Sequence, residues 1–525
     1  MNEKILKHRV LIFPLLALYS GLIVYTAWVS DDAFITFRSI QNWTHGYGLV
    51  FNVGERVQTF THPLWLFLQS SFYLLSRLFN SPFGLNKLFY GNIVISLCLS
   101  VITIALFAFK IARSTQMAIV GTLILTLSKA YIDYSTSGLE NPLSHFLTLC
   151  FLGLFLFKKE GEPHNVLGLS FLAGLTTLNR MDTVLIFFPA LILIIWKSSN
   201  KLKTILNILI GILPVILWEL FSVFYYGTPF PNTAIAKLNT GIDKLVLFNQ
   251  GIHYFLNSLR LDTITLTVIA FALALTVLSK DMRRIAVAIG LGLYLCYILY
   301  IGGDFMSGRY FSLPLLAAVI LLSTFDLKSF PLFSGSLILV LGIGLMPFLT
   351  TIERRPTYGQ NSESILVFLD KYKIADERLV YSERTGLLAA IQHNSPRIVY
   401  SQDDWVYTAS YPREVNIYGP VGINGLRDGP NIHVIDKNGL ADPLMARLPL
   451  EDIQDWRIGH FHHIIPDGYK ETLSSGTNMI QDTDIALYYD KLSFIVKGPL
   501  WDWDRLIDIW NLNTGEYNYL VESVK

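Results

Sequence analysis

The sequence has 525 residues, of which 52% are hydrophobic and only 15% are charged, and its formal net charge is +1. A soluble domain carries about 25% charged residues, so one water-soluble core cannot hold all these apolar side chains and lipid must cover many of them. A net charge this close to zero excludes the broad basic field that attracts nucleic acid. The three cysteines all lie in apolar stretches, which predicts a polar part without disulfides.

The chain begins with a basic segment, Lys4 to Arg9, followed by an apolar stretch over residues 10–29. That stretch is longer than the roughly 7–15 apolar residues of a cleaved signal peptide, and Asp31 and Asp32 make a poor cleavage site. We therefore predict a retained first helix whose basic end faces the cytoplasm.

Apolar stretches long enough to cross a membrane recur as far as residue 352. A crossing helix needs about 20 apolar residues, and we predict about eleven such helices. Residues 64–79 are also apolar but contain Gln69 and Arg77, so we predict an interfacial helix there, within the 31–85 loop. The predicted spans are 10–29, 86–109, 117–132, 141–157, 165–178, 183–196, 204–226, 262–279, 285–302, 310–325 and 330–351.

Alternate loops between these spans collect the lysines and arginines, which by the positive-inside rule places them in the cytoplasm. An odd number of spans then puts residues 353–525 on the opposite face, as an extracytoplasmic domain of mixed α/β type. Its β-branched segments predict strands near 379–381, 397–400, 431–435 and 492–496, and its apolar spacing predicts helices over 362–372 and 385–392.

Acids and arginines gather in the other set of loops, together with glycines and prolines. Ionisable groups at the ends of spans are costly unless they face each other or a cavity, so they are candidates for a functional site, the alternative being ordinary interfacial anchors. The candidates are Asp31, Asp32, Arg38, Glu140, Arg180, Asp182, Asn232, Lys237, Asp304 and Arg309.

The chemistry of these residue types suits sugar transfer. In a strand or turn, Asp31 and Asp32 point in opposite directions, so one can face a cavity while Arg38 or a backbone donor holds the other. A carboxylate so placed can take the proton of an attacking hydroxyl group. Arginine meets phosphate oxygens in pairs, which makes Arg180 and Arg309 candidates for a donor phosphate, with Arg38 and Lys237 as further candidates. For each arginine the alternative is a local ion pair.

Other signals are weaker. Trp43 and Trp65 suit a membrane belt, and for the tryptophans of the tail we favour core packing over stacking on sugars. His460 and His462 would share the face of a strand, but no third ligand is evident, so a divalent metal is left open and is not indicated. The sequence has no Gly-rich phosphate loop of the nucleotide-binding kind, which disfavours a nucleotide-sugar donor.

The first loop resembles that of the GT-C superfamily, whose donors are polyprenyl-phosphate sugars. The resemblance is closest to the terminal β-(1→2)-arabinofuranosyltransferase family and its Gram-negative relatives. The matching segments are Asp31–Arg38, His45–Arg56, Thr61–Trp65, Ser137–Glu140, Gly174–Asp182, Tyr226–Asn232, Gly302–Met306, Gly308–Arg309, Gly439–Pro449 and Trp456–Phe461.

This resemblance implies an inverting transfer from a lipid-phosphate sugar to an extracytoplasmic glycan or lipid-linked acceptor, at the bacterial plasma membrane. It implies a first-loop acid, Asp31 or Asp32, as general base, and a tail domain that helps to hold the acceptor. We expect Arg180 and Arg309 to bind the leaving phosphate, and Glu140, Asp182, Asn232 and Asp304 to position substrate or arginine side chains. The rival hypotheses are a transporter of a lipid-linked sugar, disfavoured because no repeated halves are visible, and a membrane anchor for a binding domain.

Overall fold

The computed structural model describes residues 3–78, 86–158, 164–238, 240–325, 330–352, 369–393 and 405–522. These residues form two compact units, each assembled from three separate stretches of chain. Unit 1 comprises residues 1–30, 89–215 and 244–397, and unit 2 comprises residues 31–88, 216–243 and 398–525. The predicted functional division at residue 352 stays a prediction.

Helices dominate both units. In chain order they are α1 (Glu3–Thr26), α2 (Asp31–Thr44), α3 (Pro63–Arg77), α4 (Lys87–Leu106), α5 (Thr115–Leu127), α6 (Lys129–Asp133), α7 (Asn141–Leu156), α8 (Val166–Asn179), α9 (Val184–Lys197), α10 (Lys201–Gly211), α11 (Leu213–Tyr226), α12 (Asn232–Leu238), α13 (Lys244–Leu261), α14 (Thr263–Val277), α15 (Met282–Tyr300), α16 (Ser312–Leu322), α17 (Phe330–Ile352), α18 (Glu377–Thr385), α19 (Leu387–Gln392), α20 (Gly422–Asp428), α21 (Tyr469–Ser475), α22 (Thr483–Lys497), α23 (Trp503–Thr514) and α24 (Tyr519–Glu522).

The apolar helices appear where the sequence predicts them, but most are short. Within the described residues, Lys87–Ile111 and Met282–Tyr300 are each long and apolar enough to cross a membrane. The pairs α10–α11 and α13–α14 pass the same test only when each bent pair counts as one span. The predicted number of about eleven spans is therefore not reached by helix length, which gives two to four.

The predicted tail domain contains far less β-structure than expected. Its one regular sheet, within the described residues, has two parallel strands, β1 (Val415–Tyr418) and β2 (His433–Asp436), with Val415 opposite His433. The strand predicted near 431–435 is thus confirmed, as is a helix near 385–392. The segment 397–400 and most of 362–372 lie outside the described residues.

The strand predictions at 379–381 and 492–496 are wrong, because both segments belong to capped helices. The side chain of Asp376 accepts a hydrogen bond from the N–H of Leu379 and begins α18, and the side chain of Asp482 begins α22 in the same way. The buried residues of α22 recur at helical spacing and form the core of unit 2 with Tyr469 and Ile435. A helical period therefore outweighs the β-branched composition of these segments.

Candidate functional site

Five of the predicted residues converge in unit 1, and we call them the acid–arginine cluster. They come from loops at the ends of apolar helices: one precedes α7, two follow α8, and two lie between α15 and α16. The members of the acid–arginine cluster are Glu140, Arg180, Asp182, Asp304 and Arg309.

Glu140 stands between the two guanidinium groups of the cluster. Its Oε1 accepts hydrogen bonds from Arg180 Nη1 at 2.9 Å and from Arg309 Nη2 at 3.3 Å. Arg180 Nε also donates to Asp182 Oδ1 at 2.7 Å, and Arg309 Nη1 lies 3.5 Å from Asp304 Oδ2. The Glu140 side chain is 1% exposed and those of Arg180 and Arg309 are 11% and 9% exposed, so solvent screens these pairs little.

An aromatic ring and hydrogen bonds to the neighbouring main chain support the cluster. The ring of Tyr310 lies under the Arg180 guanidinium, 4.4 Å from Cζ to the ring centroid. The Tyr254 hydroxyl donates to the Met306 carbonyl at 3.0 Å, and the N–H of Ala375 donates to the Phe305 carbonyl at 2.8 Å. Residues after α17 thus support the loop that carries Asp304 and Arg309. Nothing in the sequence indicates these supports, which only the fold brings together.

One donor of the cluster has no acceptor within the part of the chain that the structure describes. Arg309 Nε is buried and has no hydrogen-bond partner among the described residues. A buried N–H without a partner is costly, at about 1–3 kcal/mol. With Nη2 it forms one edge of the guanidinium, and such an edge can pair with two oxygens of a phosphate or carboxylate.

The first-loop acids lie in unit 2, and the prediction that they occupy a strand or turn is wrong. Both Asp31 and Asp32 are in the first turn of α2, where the helix dipole stabilises negatively charged carboxylates. The carboxylate of Asp31 accepts the N–H of Gly422 at 3.0 Å and that of Ile423 at 2.9 Å, so it binds the start of α20. Burial raises the pKa of Asp31 to about 6, against the opposing effect of the Ile423 N–H.

Arg38 has a structural role that the sequence analysis did not foresee. Its side chain is fully buried, its Nε donates to the Phe51 carbonyl at 2.7 Å, and its Nη2 donates to the Ile432 carbonyl at 2.8 Å. A further N–H reaches the Gly425 carbonyl. These bonds join α2 to the segments around α20, and the predicted role of Arg38 at the donor phosphate stays a prediction.

Asn232 likewise joins separate segments of unit 2, and its predicted positioning role stays a prediction. Its Nδ2 donates to the carbonyls of Gly439 at 2.7 Å and Asp442 at 3.0 Å, and its Oδ1 accepts from Arg447 at 3.2 Å. It is 4% exposed. Lys237 lies half-buried on α12 in the same unit, and its predicted role stays a prediction.

A second buried group of charges, in unit 1, was not predicted. Lys129 Nζ lies 2.6 Å from Asp133 and 2.9 Å from Asp376, and Arg378 Nε donates to Asp133 at 2.6 Å. Arg378 also donates to the Thr351 carbonyl at 2.7 Å, so the group joins α6, α17 and α18. The signal was present in the sequence, because a lysine inside a predicted span needs a partner.

The comparisons with known proteins agree on sugar transfer. A family model described as dolichyl-phosphate-mannose-protein mannosyltransferase matches residues 72–218. Two relatives are each named terminal beta-(1->2)-arabinofuranosyltransferase. The one from Mycobacterium tuberculosis is 27% identical, over 84% of this chain and 81% of the relative. The one from Corynebacterium glutamicum is 26% identical, over 85% of this chain and 75% of the relative.

A solved structure, the apo form of the Archaeoglobus fulgidus oligosaccharyltransferase, aligns with a TM-score of 0.45 at 10% identity. The alignment covers 84% of this chain and 65% of that one, which is less than two thirds of its length. The family match and the two named relatives confirm the predicted resemblance to GT-C enzymes and to terminal β-(1→2)-arabinofuranosyltransferases. The chain is thus similar, over 84% and 85% of its length, to two enzymes named as glycosyltransferases, and its described part contains two to four helical segments long and apolar enough to cross a membrane.

Proposed function

We propose that the protein transfers a sugar from a polyprenyl-phosphate donor to a glycan or lipid-linked acceptor at the outer face of the bacterial plasma membrane. The acceptor hydroxyl attacks the anomeric carbon as the bond from that carbon to the phosphate oxygen breaks. The polyprenyl phosphate leaves with the bonding electron pair, and a carboxylate takes the hydroxyl proton. A single displacement of this kind inverts the configuration at the anomeric carbon.

The acid–arginine cluster is the observation that carries this proposal. The departing phosphate gains negative charge, and a fixed guanidinium stabilises such charge best where water is excluded. Arg309 suits the role, because its Nε and Nη2 form one edge and Nε still lacks an acceptor among the described residues. Glu140 and Asp304 hold this guanidinium in orientation, and Arg180 with Asp182 supports Glu140.

We assign the general base to Asp32 and a positioning role to Asp31. Both oxygens of Asp31 already accept N–H groups from the start of α20, so this carboxylate is directed at the α20 backbone. Asp32 is the neighbouring carboxylate in the same turn. General-base catalysis contributes about 10²–10⁴-fold to a rate, which is the loss we expect when Asp32 becomes an amide.

The names of the two relatives suggest the first substrate to test. Each is an arabinofuranosyltransferase that forms a β-(1→2) linkage. We therefore propose a furanosyl donor, polyprenyl-phosphate arabinofuranose, and an acceptor with a free 2-hydroxyl group. Other polyprenyl-phosphate sugars in parallel assays will show whether the sugar differs while the reaction type is retained.

The proposal is tested by transfer of radiolabelled sugar with the purified full-length protein in detergent, where no sealed compartment exists and a transporter forms no product. We expect Asp32→Asn to lose at least about 100-fold in transfer rate. Arg309→Gln should lose about 10²–10³-fold, the usual effect of removing one electrostatic stabiliser of a transition state.

Matched controls are available on exposed sites. Asp484 also lies in the first turn of a helix, and Asp484→Asn should retain full activity. Arg427 is 48% exposed, so Arg427→Gln controls for the loss of a guanidinium group. If Asp31→Asn is inactive and Asp32→Asn is active, the two roles are exchanged. Full activity in both Asp variants removes the mechanism.

A further inference from the structure

Three tryptophan rings are exposed at the start and along one face of α23, and we call them the tryptophan face. Trp501 is 85% exposed, Trp503 is 73% and Trp510 is 70%, with Ile507 between them at 43%. Positions 503, 507 and 510 lie four and three residues apart, so they share one side of the helix. The expectation that these tryptophans pack in a core is wrong.

Such a face requires a partner. Tryptophan is highly buried on average, and exposed aromatic groups that form a contiguous patch mark surfaces that bind another molecule or a membrane. The opposite side of α23 is buried against the rest of unit 2, because Arg505 is 0% exposed and Ile509 is 5% exposed. The orientation of the tryptophan face is therefore fixed by packing.

Hydrogen bonds hold α23 against the C-terminal end of α11. Arg505 donates from Nη1 to the Phe224 carbonyl at 3.0 Å and from Nη2 to the Tyr225 carbonyl at 3.1 Å. Asn513 Nδ2 donates to the Gly227 carbonyl at 2.7 Å. The ring of Trp501 also lies 4.7 Å from that of Phe224, centroid to centroid.

The helix to which α23 is attached has an apolar, exposed surface. Leu217 is 57% exposed and Leu220 is 64% exposed, and α10 with α11, which are bent by 54° at their junction, are together long and apolar enough to form one broken span. The end of a crossing helix lies at the boundary between hydrocarbon and headgroups. The tryptophan face is thus continuous, through Phe224 and Trp501, with a surface suited to lipid.

We propose that the tryptophan face of α23 inserts into the interfacial layer of the bilayer at the end of α11. Indole rings favour this layer, because the ring is apolar while its N–H finds polar partners. The acidic residues Asp502 and Asp504 begin the helix, so insertion relies on the rings and not on attraction to anionic lipid. This surface is independent of the proposed reaction and does not use its catalytic residues.

The test measures tryptophan fluorescence of the full-length protein in nanodiscs of zwitterionic lipid, with and without brominated acyl chains that quench at shallow depth. The wild type is compared with the triple variant Trp501→Phe, Trp503→Phe and Trp510→Phe. The emission of the wild type minus that of the variant reports the three tryptophans. Brominated lipid should reduce this difference to half or less. Anionic lipid added to the nanodiscs should not increase this quenching.

Trp405→Phe is the matched control, because Trp405 is 6% exposed and its share of the emission should be insensitive to brominated lipid. Trp510→Phe alone gives the same readout if the triple variant does not fold. The proposal is overturned if the lost emission is unaffected by brominated lipid and is quenched by aqueous iodide. It is also overturned if added oligosaccharide, and not lipid, protects these rings from iodide, since that result identifies a sugar-stacking surface.

Discussion

At the scale of single residues, the buried guanidinium groups of Arg38 and Arg309 bind different acceptors. Arg38 donates to main-chain carbonyls, which fixes the backbone of unit 2. Arg309 donates to two carboxylates and keeps a buried Nε without an acceptor among the described residues. A group whose donors are all used by the protein stabilises the fold, whereas a group with a donor left over can also bind a ligand.

Asp31 should make the folded protein more stable in mild acid than at neutral pH, relative to a variant without this carboxyl group. Burial raises its pKa from 3.8 to about 6. Between these values the folded protein holds a proton that the unfolded chain releases, so the free energy of unfolding falls as pH rises from about 4 to 6 and is level above. The effect is at most ~3 kcal/mol, because one pK unit is worth about 1.4 kcal/mol.

Thermal unfolding of the wild type and of Asp31→Asn in detergent measures this contribution. The unfolding temperature of the wild type minus that of the variant should increase between about pH 7 and about pH 4.5. Asp484→Asn, at an exposed acid, should show no such trend. A difference that stays constant with pH, or that shrinks in acid, contradicts the raised pKa.

At the scale of elements, the contact of α2 with α20 depends on a glycine. A Cβ added at Gly422 would lie 1.9 Å from the main-chain oxygen of Asp31, where a rigid backbone cannot give way. Gly422→Ala should therefore separate the two helices and break both N–H bonds to Asp31. Overpacking of this kind costs about 1–3 kcal/mol, so we expect a lower unfolding temperature and at least about a tenfold loss of transfer rate.

The neighbouring Gly419 provides the control for this substitution. A Cβ there would meet only His462 Nε2, at 3.8 Å, which is ordinary contact. Gly419→Ala should leave the unfolding temperature and the transfer rate near those of the wild type. An equal fall in unfolding temperature and transfer rate in both variants would show that this segment tolerates no side chain at all. The close approach of Gly422 to Asp31 would then not be the cause of the effect.

How far the elements could be predicted depended on whether their signals were local. Apolar length and charged ends placed most of the apolar helices of the first 352 residues, because lipid and positive-inside rules act on local composition, but they did not predict α2 or α13. In the tail, the segments around Leu379 and Leu492 were predicted as strands because they contain β-branched residues. Both are helices, and the N-capping residues Asp376 and Asp482 that begin them were not taken into account. Most strand propensity reflects packing context, which a single sequence does not contain.

At the scale of the whole molecule, each compact unit is assembled from stretches that lie far apart in sequence. The acid–arginine cluster could be predicted, because its members all sit in loops on one side of the apolar helices. The roles of Arg38 and Asn232 could not, because their acceptors are main-chain carbonyls as far as 394 and 210 residues away along the chain. A backbone acceptor carries no sequence signal, so these assignments required the structure.

The proposed orientation places the N-terminus in the cytoplasm and the tail outside, and it predicts which sites a membrane-impermeant maleimide can reach. Tyr411 is 68% exposed in the tail, and Lys201 is exposed at the start of α10 in a predicted cytoplasmic loop. In a variant lacking Cys98, Cys150 and Cys296, Tyr411→Cys should be labelled in intact spheroplasts. Lys201→Cys should be labelled only after lysis, because lysine-rich loops remain in the cytoplasm.

Labelling of both variants in lysed membranes controls for thiol reactivity, so a negative result in spheroplasts reports protection by the membrane. The opposite pattern would place the tail in the cytoplasm, where nucleotide sugars are available, and the argument for a lipid-phosphate donor would lose its basis. Labelling of both sites in intact spheroplasts would mean that an even number of spans separates α10 from the tail. The predicted number and order of crossing helices would then have to be revised. Helix length alone gives two to four of them among the described residues.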